Sequence, residues 1–321
     1  MALPTESRQI DDVLSHTTDL YMEDLDDQVY SSNPLYIRLD NAGRIVEGGA
    51  QMNWGIIYDK VPGGSYGRGE AFNTSIVNTK TQFRAGWARY YANCTIDGLE
   101  EVANSGANAI VDAVETLMEQ AKMRIADEMG TDLIQSAGTD PDKLLGLLNY
   151  VNDGTIGGVS SYAGITYGTD TLGAAIKAKV NTTGGAFSLS GLNVEYGRAT
   201  INPAKVDLIL TTQTIFDKMW DRVQPSQRWS AGSDNNDLTK VGYSVIKFNG
   251  ADVVPDTHVP TGYIYGLNTN YLELVILRGR NMVFEGWFRP ANMDQRIGQV
   301  LWSGQLRGRA PRLNFIMTGI T

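Results

Sequence analysis

The chain has 321 residues, more than the roughly 100 to 200 residues of a usual domain, so it should form two compact units or one elaborated domain. Its 42% hydrophobic and 20% charged residues exclude a mostly disordered chain, and its 35 glycines follow no repeat, which excludes a collagen-like one. The net charge of −9 argues against a protein that binds nucleic acid through a basic surface.

The charge is unevenly distributed along the chain. Residues 1–47 contain three arginines and ten carboxylates, a net charge of −7, whereas residues 278–321 contain seven arginines and two carboxylates, a net charge of +5. Opposite charge at the two ends predicts that these segments pair, within one molecule or between neighbouring copies.

The sequence contains little that points to secretion, membrane insertion or disulfide bonding. The single cysteine, Cys94, excludes an intramolecular disulfide and favours a reducing compartment. The amino end lacks the basic start and apolar run of a signal peptide, and no stretch approaches the 18 or so apolar residues of a membrane span. We therefore expect a soluble intracellular protein, in which the N-x-S/T matches at Asn73, Asn93 and Asn181 have no consequence.

Residues 1–47 show no sustained helical or strand period. They contain the acidic cluster Asp24, Asp26 and Asp27, followed by the apolar stretch PLYIRL at 34–39. Because a disordered tail would leave these apolar side chains in water, we predict an extended arm that packs against another surface. A frayed terminus is the alternative.

Residues 50–61 and 74–93 are rich in β-branched and aromatic residues and flank the glycine-rich turn at 62–70. This pattern predicts a long β-hairpin, which needs a partner surface because an isolated two-stranded ribbon is marginally stable. Alternation in the second strand predicts one face formed by Phe83, Ala85, Trp87 and Tyr91, and the other by Gln82 and Arg84.

A helical period begins after residue 97, where Asp97 and Glu100 have capping-box spacing. Steps of three or four predict one amphipathic helix of about 25 to 30 residues, ending near Gly138. Its apolar positions are Ile110, Val114, Leu117, Ala121, Ile125, Met129 and Leu133.

Residues 140–277 mix helices with short strands. We predict a weak helix at 170–180, a serine-capped helix within 184–199 and a buried strand at 206–212. The strand should be followed by a helix with one apolar face formed by Ile215, Phe216, Met219, Trp220 and Val223. A loop is predicted at 230–240. A meander of strands is predicted at 243–248, 251–254, 262–266 and 271–277, with further strands at 282–289 and 296–318. The fold class is therefore α+β.

Candidate catalytic and metal sites are weak. GGSYG at 63–67 matches the nucleophile-elbow pattern, but Ser65 lies at a hairpin tip instead of between a strand and a helix, and only His16 and His258 are available as bases. Two isolated histidines do not form a metal site, and the acidic clusters lack the glycine of a calcium loop. His258 is interpreted as a loop residue with a satisfied hydrogen bond, and Cys94 as an inert thiol. We predict no enzyme activity, cofactor or metal.

The order of these parts resembles the major capsid protein of tailed double-stranded DNA bacteriophages, the Hong Kong 97-type fold. LLGLLN at 144–149 resembles the junction after that family's spine helix, and PAKVDLILTTQTIFDKMWD at 203–221 resembles its axial strand and helix. FNGADVVPDTHVPTGYIYGLN at 248–268 resembles the family's turn and returning strand. The resemblance covers nearly the whole chain, although each motif is degenerate.

The resemblance implies a division into an amino-terminal arm at 1–47, an extended loop at 48–93, a peripheral domain at 94–139 and 278–321, and an axial domain at 140–277. It implies self-assembly into hexamers and pentamers of an icosahedral head in the virion, assembled in the host bacterial cytoplasm. Further implied partners are scaffolding, portal and decoration proteins, and packaged double-stranded DNA held without sequence-specific binding; no membrane is implied.

Under this interpretation, charged side chains should pair between subunits. The expected contacts involve Asp24, Asp26, Asp27, Lys60, Arg68, Arg84, Arg307, Arg309 and Arg312. Some members of the family cross-link a loop lysine to an asparagine of a neighbour, for which Lys60 or Lys80 and Asn281, Asn292 or Asn314 are candidates; ordinary surface roles are the alternative.

Two other functions stay open. An encapsulin-type nanocompartment shell has the same fold, but that family typically begins with a helix that helps bind cargo, whereas residues 1–47 are predicted to be extended. A serine hydrolase using Ser65 is the alternative from a different class.

Overall fold

The computed structural model describes residues 33–40, 43–99, 113–136, 140–201, 203–223 and 246–321. Its helices are α1 (Pro34–Asp40), α2 (Ala113–Ile134), α3 (Leu147–Tyr150), α4 (Thr171–Ala175), α5 (Leu189–Ala199) and α6 (Gln213–Val223). Short 3-10 helices lie at Thr269–Tyr271 and Pro311–Leu313. No helix among these residues is both long and apolar enough to cross a membrane.

The strands fall into two main sheets and two small ones. In chain order they are β1 (Arg44–Val46), β2 (Met52–Ile57), β3 (Lys80–Ala85), β4 (Ala88–Asp97), β5 (Ser161–Tyr162), β6 (Ile165–Thr166), β7 (Lys179–Asn181), β8 (Leu208–Thr211), β9 (Ile246–Phe248), β10 (Ala251–Pro255), β11 (Ile264–Leu267), β12 (Leu272–Leu277), β13 (Val283–Phe288), β14 (Gln295–Gly308) and β15 (Phe315–Met317). The α+β prediction is confirmed.

The five-stranded sheet is organised around β14. One edge of β14 pairs with β4, and its other edge pairs with β13 in its first half and β12 in its second. Helix α2 packs on β4 and β14, and its predicted apolar positions Ile125, Met129 and Leu133 are buried. The side chains of the predicted positions before Leu117, and the predicted end near Gly138, lie outside the described residues.

The six-stranded sheet has the order β7-β15-β11-β8-β10-β9. All four residues of β8 are buried, as predicted for the strand at 206–212. Helix α5 packs on β7 and β15, and α6 packs on β10. The predicted serine cap is Ser188, whose Oγ accepts from the Gly191 N–H. On the predicted face of α6, Ile215, Phe216 and Met219 are buried and Val223 is partly buried, whereas Trp220 is 40% exposed.

The predicted meander is wrong. β8 lies between β10 and β11, parallel to β10 and antiparallel to β11, and β12 belongs to the five-stranded sheet. Burial explains the insertion, because a strand that is buried at every position needs a neighbour on each edge and cover on both faces.

Strands also cross the predicted domain boundary at residue 278. β12, from the predicted axial region, pairs with β14, and β15, from the predicted peripheral region, pairs with β7 and β11. The chain therefore passes between the two sheets more than once, and the division at 278 does not coincide with the division between sheets.

The prediction of an extended conformation is wrong at 34–40, which forms α1. Asn33 Oδ1 accepts from the Tyr36 N–H at 2.9 Å, and proline occupies the first helical position, so the helix has both common start signals. Leu35 and Leu39 are buried against α2 and β12. Residues 1–32, including most of the predicted arm, lie outside the described residues.

The predicted hairpin pairs only over β2 and β3. The second predicted strand breaks at Gly86 and Trp87, where the Gly86 carbonyl accepts from Gln305 Nε2 at 2.9 Å, and continues as β4 in the five-stranded sheet. The break shifts the alternation by one residue. Phe83 and Ala85 are buried as predicted, but the prediction for Tyr91 is wrong, since it is 68% exposed while Tyr90 is buried.

Candidate assembly surface

The loop between β2 and β3, residues 58–79, has large apolar side chains in solvent. Ile76 is 99% exposed. The exposed apolar residues in or beside this loop are Ile57, Val61, Tyr66, Phe72, Ile76 and Val77. Single exposed apolar residues are ordinary, but several concentrated in one loop indicate a surface that another molecule covers.

Local contacts shape the tip of this loop. The rings of Tyr66 and Phe72 meet edge to face with centroids 5.0 Å apart. Between them, the Gly67 N–H donates to Glu70 Oε2 at 2.7 Å, which closes a tight turn. The two aromatic rings are therefore presented together.

The base of the loop is fixed to the core by aromatic residues. The Trp54 ring lies 5.3 Å from Phe83, and Phe83 lies 5.3 Å from Tyr162. Trp54 Nε1 donates to the Gly308 carbonyl at 3.1 Å. A rigid base with an apolar tip can present the loop to a neighbour without disturbing the core.

The predicted contact residues Lys60 and Arg68 lie on this loop, and Arg84 lies on β3. All three side chains are exposed, and none forms an ion pair with another described residue. Asp24, Asp26 and Asp27, the proposed partners, lie outside the described residues. A contact between subunits stays a prediction for all six.

Arg307 and Arg309 have partners within the chain. Each places a guanidinium nitrogen 3.0 Å from a different oxygen of Glu273 on β12. Arg309 also donates to the Asn270 carbonyl at 2.8 Å and lies 5.9 Å from the centre of the Tyr271 ring. Arg307 on β14 and Arg309 just after it therefore both pair with β12 within one subunit, whatever they contact outside it.

Other arginines of residues 278–321 are also paired internally. The additional pairs are Arg278 with Glu47, Arg280 with Glu285, and Arg289 with Asp294. Arg312 differs, because it is exposed and forms no ion pair within the described part of the chain. Of the predicted residues in this segment, Arg312 is thus the one most available to a neighbour.

The candidate hydrolase residues that the structure describes do not form a triad, and His16 lies outside the described residues. Ser65 is exposed in the β2–β3 loop, with no helix following it before β3. The His258 side chain is largely buried, with Nδ1 2.9 Å from Asp256 Oδ1 and Nε2 3.2 Å from Asp127 Oδ1. The nucleophile-elbow geometry is therefore not present around Ser65.

His258 has the hydrogen bond that the sequence predicts and a second one that it does not. The expected hydrogen bond is confirmed, and hydrogen bonding to Asp256 raises the pKa of His258 against the opposing effect of burial. The sequence PDTHVP indicates one of the two partners, Asp256, because it lies only two residues before His258. Nothing in the pattern indicates Asp127, which the fold brings from helix α2.

The candidate cross-linking residues differ in accessibility. Lys60, Lys80, Asn281 and Asn292 are exposed. Asn314 is buried and its amide group is hydrogen-bonded to the Tyr150 hydroxyl and to the Ala310 and Pro311 carbonyls. A neighbouring subunit therefore has no access to Asn314.

Neither the family models nor the curated proteins contain a match to this sequence. Solved structures do match. The cyanophage A-1(L) capsid subunit superposes with a TM-score of 0.69 at 15% identity, over 96% of this chain and 98% of the other. The capsid of Myoviridae phage XM1 gives 0.62 at 10% identity over 99% of each chain. An encapsulin complex from Synechococcus elongatus gives 0.62 at 13% identity, over 100% of this chain and 96% of the other.

These superpositions establish the fold. They run over nearly the full length of both partners. The chain has the Hong Kong 97-type capsid fold that the order of its parts predicts.

Proposed function

We propose that this chain is the major capsid protein of a tailed bacteriophage, the subunit that assembles into the icosahedral head around packaged double-stranded DNA. The observation that carries the proposal is the superposition of phage capsid subunits along essentially the entire chain. The role is structural, and no step of chemistry is assigned to any residue.

The β2–β3 loop supports self-assembly independently. Its tip exposes Tyr66, Phe72 and Ile76, which an isolated subunit leaves in water. Burial of apolar surface contributes roughly 25 cal/mol per Å², so covering these side chains with a second copy would contribute substantially to subunit association. The partner for this loop is therefore another copy of the same chain.

Charge pairing between subunits is the second part of the proposal. The carboxylates Asp24, Asp26 and Asp27 of one subunit would meet Arg312 of a neighbour, with Lys60, Arg68 and Arg84 available to other carboxylates. Arg307 and Arg309 contribute less, because both already pair with Glu273 of the same chain.

The surroundings of the shell follow from the same proposal. Assembly would take place in the host bacterial cytoplasm, with scaffolding, portal and decoration proteins as further partners. The net charge of −9 suits a DNA container, because a wall that binds phosphate weakly lets the genome slide during packaging.

A nanocompartment shell is the second candidate, because the encapsulin superposes over 100% of this chain. Helix α1 removes part of the argument against it, since residues 34–40 are helical. The two candidates differ in what the particle contains, not in how the subunit folds.

Electron microscopy and content analysis test both candidates. The chain expressed in bacteria should form closed polyhedral particles, and a monomer or small oligomer both there and in the cells that naturally produce the protein would contradict any shell function. Particles from the cells that naturally produce the protein should then be treated with nuclease. Protected double-stranded DNA supports the phage head, whereas enclosed protein without DNA supports the nanocompartment.

A further inference from the structure

His258 lies between two carboxylates that belong to different parts of the fold. Its Nδ1 is 2.9 Å from Asp256 Oδ1, and its Nε2 is 3.2 Å from Asp127 Oδ1. The side chain is only 8% exposed, and that of Asp256 is fully buried. Both ring nitrogens therefore face acceptor oxygens at hydrogen-bond distance.

The contact joins helix α2 to the six-stranded sheet. Asp127 lies within α2, which covers the five-stranded sheet, whereas Asp256 and His258 follow β10 of the other sheet. The Asp256 N–H donates to the Thr211 carbonyl at 2.9 Å and the His258 N–H donates to Asp256 Oδ1 at 2.9 Å, so the turn itself is fixed to β8. The hydrogen bond between His258 Nε2 and Asp127 is the contact that connects this turn to helix α2.

The approach of the helix is unusually close at this point. A β-carbon at Gly130, one turn after Asp127, would lie 2.4 Å from Asn33 Nδ2 and 3.0 Å from the His258 Cε1. The absence of a side chain at Gly130 therefore lets α2 approach both the ring and the segment before α1. His258 is held where a proton on each nitrogen has an acceptor.

Counting protons shows which state of the ring fits. A neutral imidazole carries one N–H and can satisfy one carboxylate, whereas the imidazolium donates to both. The ionisable groups that act on the ring are Asp127 from α2 and Asp256 from the turn, and the segment before α1 contributes the uncharged Asn33. The geometry is complete only when His258 is protonated.

We propose that His258 is a proton-controlled tie between helix α2 and the six-stranded sheet, made by the imidazolium and released from Asp127 when Nε2 loses its proton. The remaining proton stays on Nδ1, because water can replace the lost donor at the half-exposed Asp127, whereas the fully buried Asp256 would keep only the His258 backbone N–H as a donor. After deprotonation, the Nε2 lone pair faces a carboxylate, and the two repel.

The direction of the pH dependence follows from the sign of the shift. Hydrogen bonding to Asp256, with a smaller contribution from Asp127, raises the pKa of His258 above its ordinary value. The stabilisation is thus fully present below the unfolded-state pKa of about 6.5 and is lost as the pH rises through the higher folded-state value. The tie belongs to the subunit fold and does not depend on the proposed capsid function.

The test compares two neighbouring substitutions on the same helix. Asp127→Asn removes the acceptor for Nε2, and Glu128→Gln removes a half-exposed carboxylate that pairs with Arg124 instead. Thermal unfolding at pH 5.5 should show Asp127→Asn about 2 to 3 °C below the wild type. At pH 8.5 the deficit should vanish or reverse, because the asparagine amide can donate to the neutral ring.

The control and a second measurement make the outcome decisive. Glu128→Gln should change the unfolding temperature by a similar small amount at both pH values. Hydrogen exchange of residues 120–134, corrected for the intrinsic rate, should accelerate between pH 5.5 and 8.5 in the wild type but not in Asp127→Asn. An Asp127→Asn deficit that is equal at both pH values, or no larger than that of Glu128→Gln, would overturn the tie, whether or not the protein forms shells.

Discussion

Glu273 lies between Arg307 and Arg309, with one carboxylate oxygen 3.0 Å from each. The side chains of Glu273 and Arg307 are only 20% and 22% exposed, whereas that of Arg309 is 41% exposed. Among the described residues, Arg307 Nε has no hydrogen-bond partner, so its pair with Glu273 is the main compensation for burying this guanidinium. A single carboxylate thus stabilises two arginines of a strongly basic segment.

Glu273→Gln should destabilise the subunit by about 1 to 2 kcal/mol, because it leaves the partly buried Arg307 guanidinium without a counter-charge. The midpoint of denaturant unfolding measures this loss. The matched control is Glu47→Gln, since Glu47 pairs with Arg278 but both side chains are more than 70% exposed. Exposed pairs contribute little, so the control should stay close to the wild type. Equal effects of the two substitutions would contradict the structural role of Glu273.

Gly308 is a second residue on which many contacts converge. Its carbonyl accepts from Trp54 Nε1 at 3.1 Å, and its N–H donates to the Tyr162 hydroxyl at 2.9 Å. A β-carbon at this position would lie 2.1 Å from the Tyr150 ring, so the aromatic cluster needs a residue without a side chain. Burial raises the pKa of the Tyr162 hydroxyl, which therefore stays neutral and keeps its hydrogen bonds. This cluster is what fixes the base of the β2–β3 loop.

At the scale of elements, the β2–β3 segment uses different residues for folding and for association. Its base packs in the core through Trp54 and Phe83, whereas Tyr66 and Phe72 at its tip are mostly exposed. Contacts that stabilise the subunit and surfaces available for association are therefore made by different residues of one segment.

Replacing both Tyr66 and Phe72 with serine should leave the thermal stability of the subunit within about 1 °C of the wild type, because neither ring is in the core. Assembly should fall severalfold, because the apolar surface offered to a second copy is lost. The fraction of protein that sediments as particles measures the effect. Thr74→Ser, a conservative change at an exposed position of the same loop, should assemble normally. Particle yields equal to the wild type in the double variant would exclude the tip as an assembly contact.

Local sequence patterns predicted the elements in which burial follows one regular pattern from the first residue to the last. Helix α2 and strand β8 follow their apolar periods, and the α5 cap is visible as Ser188. The exposed Tyr91 shows where such patterns fail, because the strand breaks at Gly86, whose carbonyl accepts from the side chain of Gln305, far away in sequence. Helix α1 had a readable signal in Asn33–Pro34, but seven residues give too short a period to detect.

The candidate site residues were harder to predict because charge patterns do not identify partners. The arginines near the carboxyl end were expected to contact neighbours, but the fold brings Glu47 and Glu273 to three of them. Asp127 and His258 are 131 positions apart, and their contact depends on the packing of α2 against the turn after β10. Side-chain partners of this kind are determined by tertiary structure, which no local period encodes.

At the scale of the whole molecule, internal pairing reduces the basic surface that is available to other subunits. Arg278, Arg280, Arg289, Arg307 and Arg309 each have a carboxylate in the same chain. Arg312 lies in the 3-10 helix Pro311–Leu313, whose other two residues are buried, so its backbone is fixed while its side chain is exposed. This combination favours a contact between subunits at Arg312, because little backbone order is lost on association.

Arg312→Gln should therefore impair assembly at low salt while leaving the unfolding temperature of the subunit unchanged. Because added salt screens charge pairs, wild-type assembly should weaken from 50 mM to 500 mM salt, and the variant should show a smaller change. Light scattering during assembly measures both. Lys205→Gln makes the same change in net charge at an exposed position in a different region and should keep the wild-type salt dependence.

The identity of the partner can be tested by exchanging charges. If Arg312 meets the cluster Asp24, Asp26 and Asp27, then Arg312→Glu should block assembly, and Asp26→Arg in the same chain should partly restore it, because each subunit then presents the reversed pair to its neighbours. Recovery with Asp26→Arg but not with Asp59→Arg, an acidic residue of the β2–β3 loop, would assign the contact to the amino-terminal arm. Arg312→Gln assembly that equals the wild type at low salt would instead show that association depends on the apolar loop, with charge contributing little.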